Sequence, residues 1–258
     1  MSLENLVRNR WAVRVYTLAI FLVVWQILGQ SVSPLLFTPP TVVVGTFWKY
    51  ILNGILPNAT LITVETLFAG FFVAAALGIP FGLIVGRSKV AEYAVDPYVN
   101  LIYATPVVAI IPLIAIWFGS NYPSSYLIVF ITAVFPIMIN TMTGVKDVSR
   151  NLTETGRSFG FSGWRLWRKV VLPSSVPYIM TGLRLGIGAA IIGALLAELF
   201  LYIVGLGFIL VYYESLFDTS VVICGVIIIM ALGITLTEIV KYLERRMSPW
   251  ASSAKGIA

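Results

Sequence analysis

Four ionisable side chains stand inside otherwise apolar runs of this 258-residue chain: Glu65, Arg184, Glu198 and Glu238. In hydrocarbon such groups face the protein interior and pair, or they line a path for ions or protons. Glu65 opens one apolar run and Glu198 closes another, so both fall near one outer face, where an ion-driven transporter would bind its coupling ion. Arg184 lies roughly 12 Å into its run at 1.5 Å per residue, and Glu238 is near the inner end of the last run. Arg184 and Glu238 are therefore expected to form an ion pair, with Arg184→Ala impairing assembly more than substrate choice. Other chemistry has little to work with. The chain has no histidine, a single cysteine (Cys224, in an apolar run) and no clustered acids. That excludes disulfides, Cys/His zinc sites and His-based catalysis within the chain. No lysine sits in a Gly-x4-Gly-Lys-Ser/Thr phosphate loop. No metal, cofactor or enzymatic site is expected.

The surrounding chain must hold these groups in a membrane. It is 59% hydrophobic and only 11% charged, with a mean hydropathy of +0.95, where a soluble domain carries roughly a quarter charged residues. A hydrocarbon core of about 30 Å takes roughly 20 apolar residues per helix. Six such spans are expected, at about 14–30, 61–86, 97–119, 124–145, 175–200 and 221–243. Every cation except Lys49 and Arg184 falls on one side of them, which places both termini in the cytoplasm by the positive-inside rule. The net charge of +6 is thus a topology signal, and nucleic-acid binding is not expected. Arginines before an apolar run, with Ser31-Val32-Ser33 after it, fit a signal peptide. The run Val15–Leu28 is long for one, however, and an uncleaved anchor accounts for both cytoplasmic ends. Residues 31–60 then form an external loop around a short surface helix.

Lipid gives helices no hydrophobic reason to associate, so small residues must let backbones approach. Two runs carry small residues at every fourth position: Gly70, Ala74, Gly78, Gly82 and Gly86, then Gly182, Gly186, Ala190 and Ala194, with Glu198 next. These stripes are expected at helix contacts. Pro80, Pro106, Pro112 and Pro136 fall within spans and favour kinks. Asn100, Tyr103, Thr105 and Asn140 would line a translocation path, or else bond to neighbouring helices.

One cytoplasmic stretch is too elaborate for a turn. Residues 154–173, ETGRSFGFSGWRLWRKVVLP, hold four cations, three glycines and two tryptophans. Leu152, Thr155 and Phe159 recur at helical spacing from Val148, with Asn151 or Thr153 as cap. Gly160 and Gly163 interrupt this helix. Trp164, Trp167 and Val171 form an apolar stripe beside Arg165, Arg168 and Lys169, suited to an anionic leaflet. Leu172-Pro173 is expected to end this second helix.

Glu154, Gly160 six residues on, and Val170-Val171-Leu172-Pro173 resemble the EAA loop of ATP-binding-cassette (ABC) importer permeases, whose pattern is Glu-Ala-Ala, three residues, Gly, nine residues, Ile-x-Leu-Pro. Thr155 and Gly156 replace the alanines and Val170 the isoleucine. PLIAIWFG, FPIMINTMTGV, YIMTGLRLGIG and AELF are similar to the nitrate/sulfonate/taurine branch, and the resemblance covers roughly residues 60–245. It implies an all-α polytopic fold of the type I (MetI-like) kind, with about six transmembrane helices and cytoplasmic coupling helices. It further implies a cytoplasmic N-terminus at 1–13, a first helix and external loop at 14–59, a permease domain at 60–243 with its coupling loop at 146–173, and a cytoplasmic tail at 244–258. Glu154, Thr155, Gly156, Gly160, Phe161, Leu172 and Pro173 would dock a separate ATPase subunit. A second permease copy, an external substrate-binding protein and a bacterial inner membrane complete the expectation. Without an inverted repeat between the halves, the ion-driven alternative is weaker. External aromatics (Phe37, Tyr103, Tyr122, Tyr202, Tyr212 and Tyr213) suit a flat organic solute, such as riboflavin or a thiamine pyrimidine precursor, over nitrate, sulfonate or taurine. They also suit a membrane interface.

Overall fold

A computed structural model describes residues 10–33 and 36–248; Arg8, Lys255, most of the N-terminal segment and most of the C-terminal tail lie outside them. Among the described residues the chain is all helix and loop. Helix α1 (Arg10–Ser31) is followed by the short α2 (Pro40–Leu52), which answers to the surface helix expected in the external loop. Then come α3 (Ile55–Gly86), α4 (Lys89–Ala104), α5 (Val107–Phe118) and α6 (Tyr122–Lys146). The loop helices α7 (Arg150–Ser158) and α8 (Gly163–Leu166) lead through a π turn (Trp167–Val171) into α9 (Leu172–Leu201). A short α10 (Leu206–Ser215) and the long α11 (Thr219–Met247) finish the described chain. Among the described residues five helices are long and apolar enough to cross a membrane, and they are six if the bent pair α4–α5 is counted as one broken span.

The kink expected at Pro106 is a 90° break. Proline has no N–H to continue the ladder and drives the preceding residue out of the helical region, and Thr105 accordingly sits extended at φ −72°, ψ 125°. Pro80, Pro112 and Pro136, by contrast, lie inside continuous helices.

Helix α6 is the centre of the bundle, gripped by α3 on one side and α9 on the other. Both small-residue stripes face it. A Cβ on Gly82 would stand 2.6 Å from the Met138 carbonyl oxygen, and one on Gly186 2.6 Å from Ile137 Cγ1. Around these contacts Leu67, Phe71, Val129, Ile137, Ile187 and Leu236 form the main core. A second cluster at one end of the bundle joins Val43 of α2, Leu56 and Ala59 of α3, Leu206 and Ile209 of α10, and the buried Cys224 of α11. Helix α1 is largely exposed and is tied in near its end, where Trp25 Nε1 donates to the Thr38 carbonyl at 3.1 Å.

Leu172-Pro173 does not end the loop's second helix as expected. The helix runs without a stop from Gly163 to Leu201. Pro173 cannot donate, and its ring would meet the carbonyl four residues back. The turn before it widens to the π form, with Leu172 N–H donating to the Trp167 carbonyl, and takes up that misfit.

Candidate functional site

The loop between α6 and α9 is built as a stiff projection. Ser149, rather than Asn151 or Thr153, occupies the N-cap of α7, without a side-chain bond. Its far end closes in a Schellman arrangement. Phe161 N–H donates to the Gly156 carbonyl at 3.0 Å and Gly160 N–H to the Arg157 carbonyl at 2.8 Å. That geometry needs a left-handed residue, and Gly160 sits at φ +76° with open space where a Cβ would project. Gly156 is buried for another reason. A Cβ there would stand 2.8 Å from Leu166 Cδ1 and 3.0 Å from Val170 Cγ2, so its lack of a side chain lets α7 lie down on the helix that follows. Phe161 is held beneath two cations, Arg165 and Lys169, at 5.4 and 5.2 Å from its ring centroid. Trp164 and Trp167 stack at 5.0 Å.

Glu154, Thr155 and Gly160 thus reach the open surface together, beside exposed Leu152 and Phe159. Glu154 Oε1 accepts from Arg150 Nε at 2.7 Å, one turn back. Gly156 and Phe161 brace the projection from beneath. Leu172 and Pro173 are half-buried farther along, at the root of α9.

The expected Arg184–Glu238 pair does not form. Arg184 Nη1 donates to Glu244 Oε2 at 3.2 Å, and Glu238 Oε1 is taken by Lys241 Nζ at 2.5 Å. Lys241 is three residues along the same helix face as Glu238, whereas Glu244 lies nearly two turns farther toward the C-terminal end of α11. Of the four path candidates, two meet. Tyr103 and Asn140 line one concave cavity of ≈ 330 Å³ with Thr132, Pro136, Ile139 and Leu185. Asn140 Nδ2 donates to the Pro136 carbonyl at 2.7 Å, and Phe135 stands 6.2 Å from the Tyr103 ring. Asn100 and Thr105 are not among the cavity's lining residues, and Thr105 Oγ1 donates back to the Leu101 carbonyl at 2.9 Å.

The most organised polar cluster was not foreseen as one. Glu198 is fully buried. Its Oε2 accepts from Thr63 Oγ1 at 3.0 Å and from Gly207 N–H at 2.8 Å, while Leu206 N–H donates to Thr63 Oγ1 at 2.8 Å. One carboxylate so joins α3, α9 and the start of α10. A side chain at Gly205 would run into the carboxyl. The Gly205-Leu206-Gly207 sequence shortly after an intramembrane Glu was the available signal.

Residues 78–249 match the model of the family described as binding-protein-dependent transport system inner membrane components. The chain is 32% identical over 251 residues to a Bacillus subtilis (strain 168) permease assigned to the transport of aliphatic sulfonates, covering 96% of this chain and 91% of that one. It is also 32% identical over 240 residues to the riboflavin transport system permease protein of Chloroflexus aurantiacus, covering 92% and 89%. Among solved structures, an inward-facing methionine ABC transporter, MetNI, superposes with a TM-score of 0.66 at 17% identity, covering 76% of this chain and 97% of that one. An all-helical bundle of the type I importer fold with this family match is the membrane component of an ABC importer. This chain belongs to the binding-protein-dependent permease family, in the branch of the sulfonate, taurine and nitrate permeases, and is a multi-pass inner membrane protein.

Proposed function

We propose that α7 with its Gly160 cap docks in a groove of a separate cytoplasmic ATPase, and that ATP binding there drives this chain between inward- and outward-open states. The observation that carries the reading is the loop's construction: an exposed Glu154–Thr155–Gly160 surface held rigid by a Schellman closure and a cation-clamped Phe161. In this reading both termini are cytoplasmic, two copies of the chain enclose the path, and an external binding protein delivers the solute. Likeness to the sulfonate permease supports a small sulfonate as that solute. The Tyr103–Phe135 ring pair beside the cavity, whose polar groups are all uncharged, favours a second reading, a flat organic molecule of the riboflavin kind.

The test is Gly160→Trp in the purified complex in proteoliposomes. A bulky residue forced to φ +76° breaks the cap. Membrane insertion is expected to be unchanged and ATP-driven uptake to be lost while ATP hydrolysis persists. Unaffected uptake, or an unmodified complex that carries no ATPase and follows an ion gradient, overturns the proposal. Thermal shift of the cognate binding protein with an aliphatic sulfonate against riboflavin separates the two solute classes.

A further inference from the structure

Helix α4 is the least anchored of the path-lining elements. Its sole buried residue is Val99, while Val90, Tyr93, Tyr98, Leu101 and Tyr103 are exposed. At its far end the 90° break separates it from α5. At its near end it is pinned. Lys146 Nζ lies 2.6 Å from Glu92 Oε1, with both side chains mostly withdrawn from solvent. Among the described residues four ion pairs form, and this is the one that joins α4 to another helix.

The position of Lys146 gives the contact its meaning. Lys146 is the last residue of α6, and Asp147, Val148 and Ser149 alone separate it from α7. Glu92 is on the first turn of α4, and Tyr103, at the cavity, is near its last. From Glu92 to Tyr103 the helix advances eleven residue steps, a rod of roughly 16 Å at 1.5 Å per residue. We infer that Glu92–Lys146 is a transmission strut: it carries displacement of the coupling loop into α4 and so moves Tyr103 at the cavity. Glu92 and Lys146 are positioning residues, since neither reaches the cavity. The inference rests on the docking role proposed for α7.

A partly desolvated charge pair suits this task. Its attraction is stronger than at a free surface, and removing one partner strands the other charge in a poorly solvated place. Helix α4 has few apolar contacts to substitute for it, so a broken pair leaves the helix without a grip on the loop.

The test uses the whole complex in proteoliposomes, with Glu92→Gln, Lys146→Gln and the exchanged pair Glu92→Lys/Lys146→Glu. Each single variant is expected to keep the ATPase bound and hydrolysing, while uptake per ATP falls by about 2- to 30-fold, the span that coupling residues of this kind command. The exchanged pair is expected to recover most of that loss. Single variants that transport like the unmodified chain overturn the strut. So does an exchanged pair that inserts and holds the ATPase but stays uncoupled. Loss of the ATPase from the single variants also overturns it, because the residues would then serve docking and not transmission. Failure of the docking proposal is seen separately, as an unmodified complex that carries no ATPase. If Lys146→Gln fails to insert, Lys146→Arg, and if Glu92→Gln fails, Glu92→Asp, each keeping its charge, must show both insertion and coupling for the strut to stand.

Discussion

Replacing Glu198 tests whether the buried carboxyl holds α3, α9 and α10 together. Glu198→Ala removes the acceptor of Gly207 N–H. Thr63 Oγ1 loses the carboxylate too, but its one hydrogen can turn to the Ala59 carbonyl, 3.1 Å away, and so keeps a partner. One buried N–H is then stranded, which costs about 1–3 kcal/mol, and the void left by the carboxyl adds about 1 kcal/mol. The expected loss is about 2–4 kcal/mol. Glu198→Gln separates the roles of the two oxygens. Its carbonyl oxygen keeps both accepted bonds, and its NH2 takes the place of Oε1, which has no partner among the described residues. One unpartnered atom replaces another, and the loss is expected to stay below about 1 kcal/mol. Titration of the purified chain with SDS in mixed micelles, read by helical circular dichroism, gives both values. Amide hydrogen exchange at Leu206 and Gly207 locates the change, since α10 starts there, and should quicken in the Ala variant alone. Equal stability of the Ala and Gln variants, or unchanged exchange at Gly207 in Glu198→Ala, would refute the reasoning.

Two further substitutions probe the packing and the corrected ion pair. Gly82→Ala places a methyl 2.6 Å from the Met138 carbonyl oxygen and 2.8 Å from Thr141 Cβ, both on the rigid face of α6. It should destabilise the chain by about 1–3 kcal/mol, whereas Gly188→Ala, which meets nothing within 4 Å, should leave the detergent melting temperature unchanged or raised. A double-mutant cycle on Arg184→Gln and Glu244→Gln should give a coupling of about 0.5–1 kcal/mol for this partly exposed pair. The same cycle with Glu238→Gln should give none.

The sequence was most legible where one local rule decides the outcome. Small residues at every fourth position mark a face, and the face proved to be the one against α6. The helix–Gly–helix spacing of 150–163 marked the projection, because a glycine at a Schellman position has no common substitute. Legibility failed where two local rules compete. Leu172-Pro173 reads as a stop, yet a π turn five residues long absorbs the same misfit at lower cost than unravelling the helix in a membrane, where freed backbone groups find no water. The Arg184 partner is not legible because Glu238 and Glu244 differ by roughly 9 Å of helix rise, less than sequence spacing fixes between α9 and α11, and because Lys241 competes for Glu238. The Glu198 cluster joins residues from three helices, and no spacing within one segment encodes that.

The division of the molecule into stiff and loose parts follows from the same packing. Helices α3, α6 and α9 meet through glycines with backbone and Cβ atoms in near contact, so they cannot slide without a steric penalty, and interiors packed in this way shift between discrete arrangements instead of deforming smoothly. A permease that alternates must therefore place its motion elsewhere. Under the coupling proposed above, helix α4 meets that requirement: within the chain it is thinly packed, broken from α5 at Thr105-Pro106, and pinned near its start by one ion pair to the end of α6. In the same proposal α7 meets the complementary one, since a projection that frayed under load would dissipate the displacement, and its Schellman closure and clamped Phe161 oppose fraying. Rigidity in α7 and looseness in α4 are two requirements of a single device, and a glycine serves the first while a proline serves the second.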